Sequence, residues 1–199
     1  MEDINWECTP MDNLDNSDSD DDNLVESTHN RIYFYSEVKR GKILKLNKYI
    51  RNLGITLTNH SFSYDLEDPF IKLHINSYGG SVFAGMAAVD YIQNSRVPIH
   101  SVIDGCAASA ATLMSVVAAK RFMHKNSFML IHQLSSGMWG KYEELKDDIK
   151  NCEILMEKIK NIYDAHTNIP KKQLNSILKH DLWFDAKTCL KYGLVDELI

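Results

Sequence analysis

Hydrophobic and polar positions first fall into a readable pattern near residue 31. Ile32-Tyr33-Phe34-Tyr35 is a short β-rich run stopped at Ser36. Ile43, Leu46, Ile50 and Leu53 then recur at helical spacing, which predicts a helix over 42–53 ended by Gly54. Residues 59–68 are polar and read as a loop. Residues 70–75 alternate like a strand, broken by Asn76-Ser77-Tyr78-Gly79-Gly80. A helix over 82–92 follows, then a strand over 99–103 that opens after Pro98 and ends at Asp104-Gly105. Small residues predict a helix over 108–119, and two short strands, 121–124 and 128–132, flank the turn Lys125-Asn126.

The longest predicted helix covers 142–165. Its apolar positions Leu145, Ile149, Cys152, Met156, Ile159 and Tyr163 step alternately by four and three residues, and Glu144, Lys146, Lys150, Glu153 and Lys160 charge the other face. Core packing is the ordinary explanation of such a stripe. Projection toward a second subunit is the other, because the helix follows the glycine-containing stretch 135–140. Pro170 restarts the chain, and the last segment sets Trp183, Phe184, Leu190 and Leu194 around Asp181 and Asp185. Strands alternating with helices give an α/β fold class with right-handed crossovers.

Charge divides the chain in two. Residues 1–30 carry ten carboxylates and no Lys or Arg, leaving 17 acidic against 22 basic residues in the rest of the 199. An acidic, disordered tail over 1–30 is therefore expected before a mildly basic domain over 31–199. Such a tail repels phosphate backbones, so nucleic acid is not an expected partner. The longest apolar stretch, 106–119, is 14 residues and is interrupted by Ser109, Thr112 and Ser115, short of the roughly 18 that span a bilayer. Neither a secretory signal nor a transit peptide is legible at the N-terminus. Cys8, Cys106, Cys152 and Cys189 are scattered without a CxxC pair, which argues against zinc and against a disulfide framework, with a reducing cytosol as the default compartment. Outside a secretory route the triplet Asn59-His60-Ser61 has no meaning as a glycosylation site.

The sequence has no GxGxxG, P-loop, HExxH or GxSxG pattern. What remains are small-residue turns at strand ends, where open α/β sheets place their sites. Asn76-Ser77-Tyr78-Gly79-Gly80-Ser81 can turn backbone N–H groups outward at a helix start, which suits a developing oxyanion, though paired glycines are also common punctuation. Gly105-Cys106-Ala107-Ala108-Ser109-Ala110-Ala111 leaves a serine hydroxyl open among small residues, either as a nucleophile or as an ordinary N-cap. Cys106 is a rival nucleophile with no cation nearby to lower its pKa. In Phe128-Met129-Leu130-Ile131-His132-Gln133 an imidazole ends an apolar strand, as a general base or as a bonded core residue. His74, His100 and His124 take the structural reading.

Together the segments Ile75-Asn76-Ser77-Tyr78-Gly79-Gly80-Ser81-Val82, Gly105-Cys106-Ala107-Ala108-Ser109, Met129-Leu130-Ile131-His132-Gln133 and Tyr192-Gly193-Leu194-Val195-Asp196 resemble the signature blocks of the Clp protease proteolytic subunit, ClpP. The resemblance runs from about Arg31 to the C-terminus and keeps the blocks in order. It implies a ClpP/crotonase-like fold of repeated β-β-α units with a protruding long handle helix joining two stacked rings, heptameric in that family. It implies Ser109 as nucleophile, His132 as general base and Asp181 as the third member, with Asp185 and Asp164 as competitors for that place. It implies an oxyanion hole from the backbone of Gly80 and Ala110, and substrate pairing with the backbone of Gly80, Ser81, Val82 and Leu134.

The activity so implied is a serine endopeptidase acting on unfolded polypeptides inside a homo-oligomeric ring. An AAA+ Clp-type ATPase would feed it, ATP would be used by that partner alone, and the chain itself would need no cofactor or metal. A catalytically silent ring subunit is the alternative, and acyl-CoA chemistry on the same fold is a third reading without any CoA-binding feature to support it. Tyr78 and Leu134 stand where the family usually has proline, and the family's N-terminal axial segment has no match before Arg31.

Overall fold

The computed structural model describes residues 24–64 and 68–199, so most of the acidic tail, residues 1–23, lies outside the described residues. Strands β1 (Val25–Thr28) and β2 (Arg31–Phe34) form an antiparallel hairpin, turned at His29 with φ 54. Order therefore starts earlier than the expected Arg31. Four residues with three polar side chains give no readable period; Val25 is nevertheless fully buried, and β1 takes its strand character from its partner.

Helix α1 (Arg40–Tyr64) continues past Gly54 and takes in residues 59–64 of the segment expected to be a loop. Gly54 is buried, and a Cβ there would meet only Arg96 Cβ at 3.8 Å. Thr58 Oγ1 bonds the Gly54 carbonyl at 2.7 Å. The 3.8 Å to Arg96 is an ordinary van der Waals distance, so the glycine is tolerated within the helix, at the roughly 1 kcal/mol such a residue costs there, without being required by packing.

Next come β3 (Ile71–Ser77), α2 (Val82–Gln93), β4 (Ile99–Ala108) and α3 (Ala110–Val116). Then follow β5 (Lys120–Met123), β6 (Phe128–Leu130), α4 (Tyr142–His166), α5 (Lys171–Ile177), β7 (Trp183–Asp185), α6 (Ala186–Lys191) and β8 (Glu197–Leu198). Among the described residues these strands make one eight-stranded sheet in the order β1-β2-β3-β4-β5-β8, with β6 bridging β4 and β7.

Strand β4 does not end at Asp104-Gly105 as expected. Gly105 bends it with φ 81, its N–H donates to Ser127 Oγ at 2.8 Å, and the Ser127 hydroxyl donates to Ile103 O at 3.0 Å. Past that bend the strand changes neighbour: residues 100–103 pair with β5 and residues 106–108 with β6. The extension shortens α3 and moves Ser109 to the boundary between strand and helix.

The two faces of the sheet differ. Ile71, Leu73 and Ile75 of β3 are fully buried on the core side, as are Ile32 and Phe34 of β2. Each such side chain contributes about 1.5–3 kcal/mol by leaving water. The other face carries a polar network around Asp104, which accepts from Tyr35 Oη at 2.6 Å and His74 Nδ1 at 2.7 Å, with His124 Nε2 3.2 Å from its second oxygen. His74 stacks on Tyr33 at 4.7 Å and His100 on Phe70 at 4.5 Å.

The apolar stripe of α4 is core at one end only. Ile159, Ile162 and Tyr163 are buried, whereas Ile149 and Ile154 are 51% and 65% exposed. Core packing therefore explains the C-terminal half of the helix, and the N-terminal half stands in solvent.

Burial alone would raise the Asp104 pKa, but the donors His74 and Tyr35 outweigh it, so the carboxyl sits below its ordinary value. A depressed folded-state pKa stabilises the fold at pH values above the unfolded value and is lost as pH falls through the folded one. Asp104→Asn is expected to cost about 1–3 kcal/mol at pH 7, and the gap to wild type should narrow below the ordinary carboxylate range. Thermal melts of both proteins between pH 7 and pH 3 check the sign.

Candidate active site

The site is assembled where β3, β4 and β6 end. Ser109 joins β4 to α3 with φ 52 and ψ −126, a backbone conformation that residues with a side chain rarely adopt and that costs about 1–3 kcal/mol. The turn has the form of a nucleophile elbow, a sharp strand-to-helix turn that lifts the hydroxyl out of the backbone, built without the glycines of GxSxG. Ala107 and Ala111, both fully buried, occupy the two flanking positions. That spacing of small residues was the legible signal for the elbow.

Three hydrogen bonds hold the turn. Ser109 N–H donates to Leu130 O of β6 at 2.9 Å, and the Ser109 carbonyl accepts from Thr112 N–H at 3.0 Å and from Thr112 Oγ1 at 2.6 Å. Gly79, with φ 98, fills the remaining side: a Cβ there would lie 2.7 Å from both Ala108 O and Ser109 Cβ, and 3.2 Å from Ala110 N. The sequence reading treated the two glycines as one turn and missed this contact.

The sheet also delivers the histidine. The β6–β7 register pairs Leu130 with Trp183, and carrying it two residues on sets His132 opposite Asp181. His132 Nδ1 and Asp181 Oδ1 are 2.8 Å apart. A carboxylate only accepts, so Nδ1 carries the proton and Nε2 is left with its lone pair. The imidazole is 11% exposed and the carboxylate 76%. The two competing acids are engaged elsewhere: Asp185 caps α6 through Thr188 N at 2.8 Å, and Asp164 pairs with Lys171 at 2.9 Å.

Because β4 and β6 are parallel neighbours with Ala108 opposite Leu130, Ser109 and His132 leave adjacent strands at nearly the same level. No hydrogen bond joins Ser109 Oγ to His132 among the described residues; such contacts commonly tighten only when substrate is bound.

Around the elbow, Ala110 is the first residue of α3, a position whose N–H has no partner within its helix. Gly80 forms a parallel bridge with Val38, which also accepts Ser81 N–H at 2.8 Å and donates to Gly79 O at 2.7 Å. Val82 opens α2, and Leu134 N–H points at Met156 Sδ at 3.0 Å. Beside Leu134 a cleft of about 390 Å³ opens between the segment after His132 and α4, lined by Gln133, Met138, Ile149, Cys152 and Met156. Tyr78 meets Trp183 edge-on at 6.4 Å, which ties the glycine turn to the strand after Asp181. Burial pushes the Cys106 thiol up, away from the reactive thiolate. Among the described residues no three His, Cys, Asp or Glu side chains are grouped to hold a metal ion, and no helix is long and apolar enough to cross a membrane.

Residues 35–199 match the family model described as Clp protease. The chain is 32% identical over 172 residues to an ATP-dependent Clp protease proteolytic subunit of Streptococcus mutans, covering 83% of this chain and 88% of that protein. A protein of the same description from Cyanophora paradoxa is 32% identical, with 88% of each covered. A solved structure of a ClpP1 variant from Listeria monocytogenes superposes with a TM-score of 0.71 at 25% identity, covering 83% of this chain and 88% of that one.

The contact at Gly79 makes a stability prediction. Gly79→Ala is expected to cost about 2–4 kcal/mol, because it adds both a clash and a left-handed backbone for an L-residue. Gly137→Ala, at a position with nothing within 4 Å, should stay within about 0.5 kcal/mol of wild type. Denaturant titration of the two variants separates them.

Proposed function

This chain belongs to the Clp protease family, and on that premise we propose that it is a serine endopeptidase that hydrolyses unfolded polypeptides inside an oligomeric ring. The observation that carries the reading is the His132–Asp181 hydrogen bond of 2.8 Å, set one strand away from a serine in an elbow.

Ser109 Oγ attacks the scissile carbonyl while its proton passes to His132 Nε2. Asp181 keeps Nδ1 protonated and stabilises the imidazolium. The N–H groups of Gly80 and Ala110 receive the oxyanion. On collapse His132 returns the proton to the leaving amine, and water repeats the sequence in reverse to free the acyl group. The peptide lies along Gly80, Ser81 and Val82 on one side. On the other it lies along Leu134, where a substrate carbonyl replaces the weak thioether acceptor of Met156.

Assembly supplies selectivity. The exposed N-terminal half of α4, with Ile149 and Ile154 in solvent, supports a role as the handle between two stacked heptameric rings. Enclosure admits only unfolded chains, as a promiscuous peptidase in the cytoplasm requires. The relatives' description as ATP-dependent supports an AAA+ Clp-type ATPase partner, which would be the one to use the ATP. A second reading, a silent ring subunit, draws on the unmade Ser109–His132 bond and the exposed Asp181. Retention of all three side chains weighs against it.

A serine-directed fluorophosphonate is expected to label the protein once, and Ser109→Ala to remove both labelling and cleavage of a fluorogenic peptide. Asp181→Asn should lower turnover about 10²-fold or more. Asp185→Ala should change mainly stability, by about 0.5–2 kcal/mol. A large oligomer that neither labels nor cleaves would favour the silent subunit.

A further inference from the structure

Behind the elbow lies a pair of buried hydroxyls that the serine, histidine and aspartate do not account for. Thr112 is fully buried on α3, and Tyr163, 1% exposed, reaches it from the end of α4 that also buries Ile159 and Ile162. Tyr163 Oη and Thr112 Oγ1 are 2.5 Å apart, and Thr112 Oγ1 is 2.6 Å from the Ser109 carbonyl oxygen.

Proton counting fixes the direction of this chain. A carbonyl can only accept, so the single Thr112 hydroxyl proton points at Ser109 O. The contact with Tyr163 must then use the phenolic proton. The order is Tyr163 O–H to Thr112 O–H to Ser109 C=O. Burial holds the phenol's ionisation well above its ordinary value, so it remains a donor throughout the working pH range.

The peptide group that ends this chain is the one whose other end is the Ala110 N–H. A trans peptide is planar, with C=O and N–H on opposite sides. Fixing the Ser109 carbonyl from behind therefore aims the Ala110 N–H forward, past Gly79. Donors on the carbonyl also polarise the peptide and strengthen the N–H at its far end. We propose that Tyr163 and Thr112 are positioning residues for the oxyanion hole, acting through the Ser109–Ala110 peptide. The inference rests on the peptidase reading of Ser109 and adds to it the group that orients one of its two oxyanion donors. It also ties the donor to the seating of α4, because the phenol is carried by the buried end of that helix.

The test compares Tyr163→Phe, Thr112→Ser, Thr112→Val and the double variant Thr112→Val/Tyr163→Phe in the full chain. Single removal of the threonine hydroxyl leaves a buried phenol unpaired, whereas the double variant removes both partners and can keep native stability. An oxyanion donor helps the transition state more than bound substrate, so the double variant should lose about 10–100-fold in kcat on a short fluorogenic peptide, with KM within about twofold. Inhibition by a peptide aldehyde, which forms a tetrahedral adduct, should weaken in step with kcat/KM. Thr112→Ser should retain at least about a third of wild-type kcat, and Tyr163→Phe should fall between.

A double variant that melts like wild type and keeps its kcat and aldehyde affinity overturns the proposal. If only the double variant fails to fold, Tyr163→Phe decides alone, with unchanged kcat and aldehyde affinity again overturning it. Ser109→Ala run alongside separates the two claims. If that variant still cleaves, the peptidase reading fails; if it is dead while the double variant is unimpaired, only the relay fails.

Discussion

Ser109 turns the chain from strand into helix with a positive φ, and the surrounding structure is arranged to keep it there. The backbone on its N-terminal side is tied to β6 through Leu130, its carbonyl is held by Thr112, and the bare Cα of Gly79 closes the third side. None of these alone outweighs about 1–3 kcal/mol of strain with much to spare. They work because the sheet already fixes the strands that carry them. The same β4–β6 pairing that secures the serine delivers His132, and the β6–β7 pairing delivers Asp181. Backbone ladders, not side-chain attraction, bring the three groups together.

Strand β4 links the core to the site because it serves two neighbours in turn. Before Gly105 it lies in the continuous sheet, with buried aliphatics on one face and the Asp104 network on the other; beyond it, it forms the short ladder with β6. The hydroxyl of Ser127 bridges the bend by accepting from Gly105 N–H and donating to Ile103 O. Helix α4 is divided in a comparable way. Its buried end reaches Thr112, behind the elbow, through Tyr163, and its other half leaves Ile149 and Ile154 largely exposed.

Much of this was legible in the sequence. The alternation in residues 70–75, the two small-residue turns and the stripe of the long helix located their elements, and the family blocks singled out Ser109, His132 and Asp181. What could not be read depended on partners distant in sequence. Gly54 looks like a helix stop until it is seen buried in line with Ile43, Leu46 and Ile50, and residues 25–28 look too polar for a strand until β2 pairs with them. Asp104-Gly105 reads as a turn because the Ser127 bond that carries the strand onward comes from 22 residues away. Three acids competed to support His132; motif position favoured Asp181, and the geometry adds the physical distinction, with one acid on the imidazole, one capping α6 and one on Lys171. Periodicity gave the apolar face of α4 correctly but carries no information about how much of it the rest of the chain covers.

The central claim is that one serine and one histidine, unbonded in the free chain, act on the same carbonyl beside the Gly80 and Ala110 amides. The most direct measurement is the crystal structure of the protein after reaction with a peptidyl chloromethyl ketone, which can be attacked by a serine at its carbonyl and by a histidine at its methylene. The account predicts one inhibitor joined to both Ser109 Oγ and His132 Nε2, its former carbonyl oxygen within hydrogen-bond distance of both amides. Attachment at Cys106 or another side chain, with Ser109 and His132 untouched, would contradict it.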